Sequence, residues 1–125
     1  MNTTSKRTEL AQIVFKAMNS RDLSIAEPLL HENVVFDFPG NGIMEGPKRV
    51  SLFIRVLLRK FPELTFTIKN VILDGDQACT VWTNKGKNLD GSLYENSGIT
   101  LFHFSEGKIT FMSDYFKNTS FVNQS

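Results

Sequence analysis

The sequence predicts an α+β domain in which one curved antiparallel sheet wraps around N-terminal helices. Apolar residues recur at helical spacing in the first half of the chain, and Pro62 ends the last of these segments. After Pro62, long runs with period-two alternation are separated by short turns rich in Gly and Asp. Helices first and a meander of strands afterwards indicate segregated layers, and a length of 125 residues predicts a single domain, residues 1–125.

The first element is an amphipathic helix, predicted from Ser5 to Asn19 because its apolar residues fall on one helical face. Asp22 follows at the position of an N-cap, since a short side-chain oxygen can accept a hydrogen bond from the first turn. A second, short helix is predicted over residues 23–30. Pro28 lies inside it and should shorten or kink it.

The β-branched and aromatic run Val34–Phe38 predicts a strand that ends at Pro39 and Gly40. Pro47 suits the first position of a third helix, which should end before Pro62. One face of this helix is predicted to pack toward the sheet, and it carries Val50, Phe53, Ile54, Leu57 and Leu58.

The remaining chain is predicted to form strands that follow one another as hairpins. Turn residues separate them, most clearly at residues 74–76 and 105–107. The predicted strands are Leu64–Leu73, Ala78–Lys85, Leu93–Phe104 and Lys108–Phe116.

The last strand carries a carboxylate among bulky apolar residues. Alternation places Asp114 on one face with Thr110, Met112 and Phe116, and leaves Ile109 on the opposite face. A carboxylate on an apolar face must lose water, find a partner or accept a proton, so Asp114 is a candidate acid or base in a cavity. The alternative is a surface aspartate on the solvated side of the sheet.

Composition excludes several classes of function. A formal charge of +1 gives no overall attraction to nucleic acid or to anionic membranes. No segment has the apolar core of a signal peptide or the length of a membrane span, so a cytoplasmic protein is predicted. Cys79, the single cysteine, is interpreted as a small buried hydrophobe in a strand, with a reactive nucleophile as the alternative. The sequence has no cluster of His, Glu or Asp at metal-ligand spacing, and no metal is predicted.

Three further residues have two interpretations each. Asp37 alternates with Phe36 and Phe38, so it either points into water or reaches the pocket through a bulge. His103 is predicted on the outer face of the sheet or at an interface, with a catalytic histidine as the alternative. Trp82, the only tryptophan, is either core or a pocket wall on which a flat ligand stacks.

Short landmarks in this order resemble the SnoaL-like branch of the nuclear-transport-factor and ketosteroid-isomerase superfamily. The resemblance covers almost the whole chain. It implies a cone, a cystatin-like α+β barrel with a strongly bent sheet and an apolar pocket. The superfamily includes isomerases, cyclases and proteins that only bind or scaffold. The landmarks are residues 19–22, 38–40, 44–46, 61–62, 74–76, 81–82 and 104–109.

The catalytic residues of the superfamily carry over only in part. The three positions that the resemblance assigns to ketosteroid isomerases hold Val14, Phe38 and Thr100 here, so that isomerisation is not expected. In SnoaL-type cyclases the acid/base Asp is the eighth residue of the Gly-Lys-Ile strand, which is Asp114 when counted from Gly107. The accompanying histidine of the cyclases falls on Thr100, which can donate a hydrogen bond but does not titrate near neutrality.

The resulting hypothesis is a cofactor-free enzyme of SnoaL-like type for a flat, apolar, carbonyl-bearing molecule. Asp114 would be the general acid/base, with Thr100 and Tyr94 as orienting donors. The alternatives are a binding protein without turnover and a dimeric accessory protein. A homodimer is predicted through the outer sheet face, at residues 93, 99, 101 and 103. The predicted pocket walls are Phe15, Met18, Phe38, Met44, Leu57, Trp82, Phe102, Met112 and Phe116.

Overall fold

The structure is a computed structural model that describes residues 3–119. It has the predicted order of helices first and a strand meander afterwards, and the α+β class is confirmed. The elements are α1 (Thr3–Ser20), two 3-10 turns (Leu23–Ile25 and Glu27–Leu29), β1 (Leu30–Phe38), β2 (Gly42–Glu45), α2 (Pro47–Lys60), β3 (Thr65–Asp74), β4 (Gln77–Lys87), β5 (Leu93–Ser105) and β6 (Lys108–Phe116).

The six strands form one curved sheet in the order β2-β1-β6-β5-β4-β3. Its two edges, β2 and β3, do not pair, so the sheet stays open where a barrel would close. Four neighbouring pairs are antiparallel, but β1 pairs with β6 in parallel, with Phe36 opposite Met112. The prediction of a wholly antiparallel sheet is wrong at this pair. A long crossover joins β1 to β6, and only a direct hairpin would force them to be antiparallel.

Helix α1 lies across β3 and β4 and covers the inner face of the sheet, the face that includes Thr80 and Trp82. The Thr80 hydroxyl donates to the Ala11 carbonyl at 2.7 Å, a buried bond between sheet and helix. That bond fixes α1 at one height on the sheet, because a slide of the helix would leave the buried Thr80 hydroxyl without its acceptor.

The segment Asn19–Asp22 joins α1 to the rest of the domain. The Asn19 amide donates to the Phe66 carbonyl and accepts from the Phe66 N–H, both at 2.8 Å, on the edge strand β3. The Arg21 guanidinium donates to three carbonyls, those of Met18, Pro62 and Leu64. Asp22 accepts from the Ser24 N–H, as predicted for an N-cap, and this bonding to Ser24 lowers its pKa. These landmark residues are structural.

The predicted second helix is present only as the two 3-10 turns. Pro28 occupies the start of the second turn. Proline lacks an N–H and its ring clashes with the carbonyl four residues earlier, so a continuous α-helix cannot pass through it.

Helix α2 begins at Pro47, as predicted, after Gly46 in a left-handed conformation with φ 86°. Val50, Ile54 and Leu58 are buried, and α2 packs against β1. Phe53 and Leu57 are partly buried against the same core. Within residues 3–119, neither α2 nor any other helix has the length and apolarity that a membrane span requires.

The start of β6 departs from regular alternation. His103 pairs with Phe111 but Phe104 pairs with Ile109, so Thr110 is an extra residue in a β-bulge. The bulge turns Ile109 into the core, where it is fully buried, and the prediction that it lies opposite the Asp114 face is wrong. Regular alternation resumes after the bulge.

Cys79 does not match its predicted burial. Cys79 lies in β4, where it is half-buried, and its thiol forms no disulfide. Cys79 pairs with Leu101 and Ile72 and alternates with Ala78 and Thr80, which point into the core, so it lies on the outer face of the sheet.

Candidate functional site

A cavity lies between the inner face of the sheet and the two helices. Its walls are mostly aromatic and aliphatic, and its enclosed volume is about 40 Å³, room for about two or three water molecules. Side chains of five strands, β1 and β3–β6, and of the helices α1 and α2 form its walls. The lining residues are Val14, Phe15, Met18, Phe36, Phe38, Ile54, Leu57, Leu64, Phe66, Trp82, Asn84, Tyr94, Asn96, Thr100, Phe102, Met112, Asp114 and Phe116.

A chain of two hydrogen bonds ends on the carboxylate of Asp114. The Trp82 indole N–H donates to the Thr100 hydroxyl oxygen at 3.0 Å, and the Thr100 hydroxyl donates to Asp114 Oδ1 at 2.8 Å. The sheet register sets this up, since Thr100 pairs directly with Asp114 across β5 and β6. Because its oxygen accepts from the buried indole, the hydroxyl of Thr100 is directed at the carboxylate.

The surroundings of Asp114 disfavour its charge. Burial raises the pKa of Asp114 from 3.8 to about 7, while the hydrogen bond from Thr100 opposes this rise. Protein surrounds the carboxyl group, which is accessible only in part. Among the described residues that line the cavity, Asp114 alone carries a charged side chain. Near neutral pH, therefore, both its ionised and its protonated forms are populated.

Gly98 is required where β5 approaches β6 beside the carboxylate. A Cβ at this position would lie 2.3 Å from the Tyr115 carbonyl oxygen and 2.8 Å from Phe116 Cα. The register places Gly98 between Trp82 and Phe116, whose ring centroids are 6.4 Å apart. Any side chain here would therefore push apart the strands that carry Asp114 and its donor.

Contacts between aromatic rings fill most of the space inside the cone. Phe38 packs against Phe116 and Phe53, with centroid separations of 5.8 and 5.0 Å. On the other side, Phe66 lies 5.3 Å from Trp82 and 5.4 Å from Phe15. The aromatic side chains limit the free volume of the cavity. Rotation of one ring therefore changes the space available to a ligand.

Tyr94 also lines the cavity, from the same strand as Thr100. It is six residues before Thr100 on β5, a distance of about 20 Å along an extended strand. Its hydroxyl oxygen accepts from the Asn96 amide at 2.7 Å, and burial raises its pKa. The two predicted orienting donors are therefore separated along one strand, and the Tyr94 hydroxyl bonds to Asn96 while the Thr100 hydroxyl bonds to Asp114.

Most of the predicted pocket residues line this cavity. Met44 does not: it is buried in β2, where its sulfur accepts from the Asn41 amide at 3.3 Å. The sequence reasoning missed several walls, including the polar residues Asn84 and Asn96. Period-two alternation from Trp82 could have identified Asn84, because it places both on one face of β4.

The other candidates lie outside the cavity. Asp37 pairs with Ser113 and Ile43 and is half-exposed, which agrees with the interpretation that it faces away from the pocket. The His103 ring contacts Phe111 on the outer face, with centroids 4.8 Å apart. Within residues 3–119, His, Cys, Asp and Glu side chains do not gather in a group of three that could hold a metal ion.

An open, curved mixed sheet packed with helices around an apolar cavity is the architecture of a small α+β cone domain. The chain belongs to the family of SnoaL-like domains, whose family model matches residues 11–112. That match covers both the α1 wall and the strands that hold Trp82 and Thr100. A sequence comparison with curated proteins finds no match.

Solved structures share this fold closely. An NTF2-like protein of unknown function from Burkholderia pseudomallei has a TM-score of 0.85 at 18% identity, over 95% of this chain and 96% of that one. A candidate SnoaL-like polyketide cyclase from Jannaschia sp. CCS1 has a TM-score of 0.84 at 18% identity, over 96% and 91%. A candidate isomerase from Bacillus subtilis has a TM-score of 0.80 at 25% identity, over 94% and 90%. At these identities the likeness establishes the NTF2-like fold.

Proposed function

We propose that this protein binds a flat, apolar, carbonyl-bearing molecule in the cone and that Asp114 moves a proton on it, as in a cofactor-free isomerase or cyclase. One observation carries the proposal: a carboxyl group with a pKa of about 7 lies in an apolar cavity and keeps a single side-chain donor, Thr100. A group with its pKa near the working pH can both take and return a proton. The cyclase and isomerase among the structural neighbours support this class of reaction.

The proposed step begins with ionised Asp114. Its free oxygen takes a proton from the carbon next to the ligand carbonyl, and the electrons of that C–H bond move onto the carbonyl oxygen to form an enolate. The protonated carboxyl then returns the proton to carbon, at the same position or at one conjugated with it, and is ionised again. Thr100 holds the other oxygen in place, so one carboxyl group serves both steps.

Ligand entry requires movement of the aromatic walls. A cavity of about 40 Å³ is far below the roughly 300 Å³ that ligand pockets usually enclose. We expect Phe38 and Phe116 to rotate away from each other when a ring enters, because their contact closes the space beside Asp114. The flat faces of Trp82 and Phe116 would then pack on the ligand.

The proposal is tested with 2-tetralone, a flat apolar ketone with acidic C–H bonds next to its carbonyl. We expect the protein to accelerate exchange of these hydrogens in D₂O, followed by NMR, and Asp114→Asn to lower the enzymatic rate by about 10²-fold or more. Because ionised Asp114 is the base, the rate should rise with pH through about 7. Asp37→Asn, which makes the same change on the outer face, should leave the rate unchanged. Equal rates for the wild type and Asp114→Asn would overturn the proposal.

A second candidate function is binding without turnover. One observation favours it: Thr100 occupies the position where the resemblance places the cyclase histidine, and its hydroxyl does not titrate near neutrality. In that case 2-tetralone would quench the fluorescence of Trp82, the only tryptophan, with no catalysed exchange. Asp114→Asn would then change the affinity modestly.

The homodimer and the cytoplasmic location stay predictions. The outer face does offer an apolar surface, since Leu93 is 68% exposed and Tyr115 is 57% exposed. Ile99, Leu101 and His103 are half-buried on β5, and Ile99 pairs with Tyr115. A patch of this kind favours a partner, and a second copy of the chain is the one we propose.

A further inference from the structure

Asn84 is a buried polar residue on the cavity wall that the proposed reaction does not use. It lies on β4, on the same face as Trp82, and is only 9% exposed. Its carbonyl oxygen Oδ1 is buried and has no hydrogen-bond partner within residues 3–119. A buried acceptor without a donor is costly, and such groups are uncommon in folded proteins.

The neighbouring polar side chains do not serve Asn84. Asn96 lies directly opposite on β5, but its amide donates to the Tyr94 hydroxyl and to the Asn118 carbonyl, at 2.7 and 3.0 Å. The Asn96 oxygen accepts from the backbone N–H groups of Ser97 and Asn118, at 2.9 and 2.8 Å. Asn96 is therefore held in place by its own bonds, and Asn84 is left with an open acceptor.

Position distinguishes Asn84 from the other buried orphan of the described chain. The hydroxyl of Ser51 also lacks a partner, but Ser51 lies in α2 and does not line the cavity. Only Asn84 combines an unpaired buried atom with a place on a cavity wall. A donor could reach Asn84 from a bound molecule, whereas Ser51 contacts protein alone.

The register separates Asn84 from the carboxylate along the cavity wall. Thr80, Thr100 and Asp114 form one row across β4, β5 and β6, and Asn84 is four residues beyond Thr80. Four residues of strand span about 13 Å. Trp82 lies between them on the same face of β4, so an aromatic wall separates the two polar groups along the cavity.

We propose that Asn84 is a specificity-determining residue that accepts a hydrogen bond from a hydroxyl group of the ligand, at the end far from the reacting carbonyl. The preferred ligand class is then an elongated planar ketone with a distal hydroxyl, such as a phenol. This inference rests on the proposed function, because it assumes that a ketone occupies the cone with its carbonyl end beside Asp114. Binding would supply the donor that Asn84 lacks in the free protein.

Three probes that differ at one position test the inference: 2-tetralone, 6-hydroxy-2-tetralone and 6-methoxy-2-tetralone. Affinities are measured by quenching of Trp82 with the wild type and with Asn84→Leu, which keeps the size and removes the acceptor. Asn70→Leu makes the same change on an exposed asparagine of β3 and serves as the control. Asn84→Ala replaces Asn84→Leu if the leucine variant does not fold.

We expect the wild type and Asn70→Leu to bind the hydroxy probe about tenfold more tightly than 2-tetralone, and Asn84→Leu to bind both equally. The methoxy probe cannot donate and should have no advantage in any of the proteins. An undiminished hydroxyl preference in Asn84→Leu, or a wild-type preference for the methoxy probe, overturns the inference. Catalysed exchange of 2-tetralone with no hydroxyl preference overturns the role of Asn84 but leaves the proposed function intact. Failure of all three probes to bind or exchange overturns both.

Discussion

Two polar regions of this molecule treat their polar groups in opposite ways. At the corner formed by Asn19–Asp22, side chains form hydrogen bonds with backbone groups. The Arg21 guanidinium alone donates to three carbonyls. Inside the cone, the Asp114 carboxylate receives one side-chain donor and is otherwise surrounded by apolar walls. The corner lowers the energy of the fold. The cavity surrounds Asp114 so that its charged form is unfavourable, and the fold is less stable when this carboxyl group is ionised.

The largest expected effect is a gain of stability in Asp114→Asn at high pH. The pKa of Asp114 is raised from 3.8 to about 7, so the folded state holds this proton more tightly than the unfolded state does. The resulting stabilisation is complete below about pH 4 and is lost as the pH rises through 7. Since the amide is never charged, the free energy of unfolding of the variant at pH 8.5 should be larger than that of the wild type by up to about 4 kcal/mol.

Urea unfolding at pH 4 and at pH 8.5 measures this difference in the free energy of unfolding. Asp37→Asn is the control. Its free energy of unfolding should not rise above that of the wild type between pH 4 and pH 8.5 in the way expected for Asp114→Asn. A constant difference between Asp114→Asn and the wild type across this range would mean that Asp114 is well solvated in the folded protein.

Thr100→Val tests the donor side of the cavity. Valine keeps the shape but leaves the buried Trp82 N–H unpaired and removes the only side-chain bond to Asp114, so we expect a loss of about 1–3 kcal/mol. The pKa of Asp114 should rise further, because the lost bond favoured the ionised form. NMR titration of the Asp114 carboxyl carbon follows this shift, and Thr100→Ser should restore the wild-type midpoint. A midpoint that moves down in Thr100→Val would contradict the hydrogen-bond chain.

Arg21→Ala tests the corner and should have the smallest effect of the three. The side chain is exposed, so water can replace part of the lost bonding, and we expect a loss of about 1–2 kcal/mol that is independent of pH between 5 and 9. Exchange of 2-tetralone by the folded variant should be unchanged. Arg49→Ala removes an exposed arginine from α2 and should cost less. A large drop in exchange rate in Arg21→Ala would mean that the corner also supports the cavity.

Local periodicity was sufficient to predict most of the fold. The face of α2 with Val50, Ile54 and Leu58 and the four long strands follow from spacing that each segment carries by itself. The parallel pairing of β1 with β6 could not be predicted this way, because nothing in either strand specifies a partner so distant in sequence. The burial of Ile109 could not be predicted for the same reason, since the β-bulge that turns it inward depends on how two strands pair.

The site was predictable in part. Asp114 was found because a carboxylate among apolar neighbours is unusual on one strand face, and Thr100 because it occupies a family position. The bond from Trp82 to Thr100 required the register of β4 on β5, which the sequence does not state. Asn84 was missed although it shares the alternation of Trp82, because an asparagine alone in a strand carries no sign that its oxygen lacks a partner.

The parallel pairing of β1 with β6 has a consequence for how the chain folds. Residues of β1 are synthesised early and can pair locally with β2, but they contact β6 only after β6 has formed, so that second contact closes a very long loop. Such distant contacts slow folding, and β1 should dock late onto a meander of β3–β6 that assembles through local hairpins. Asp114 lies on β6 at this late seam. Phe36 and Phe38 of β1 line the cavity with it, so we expect this wall to be completed only when β1 docks.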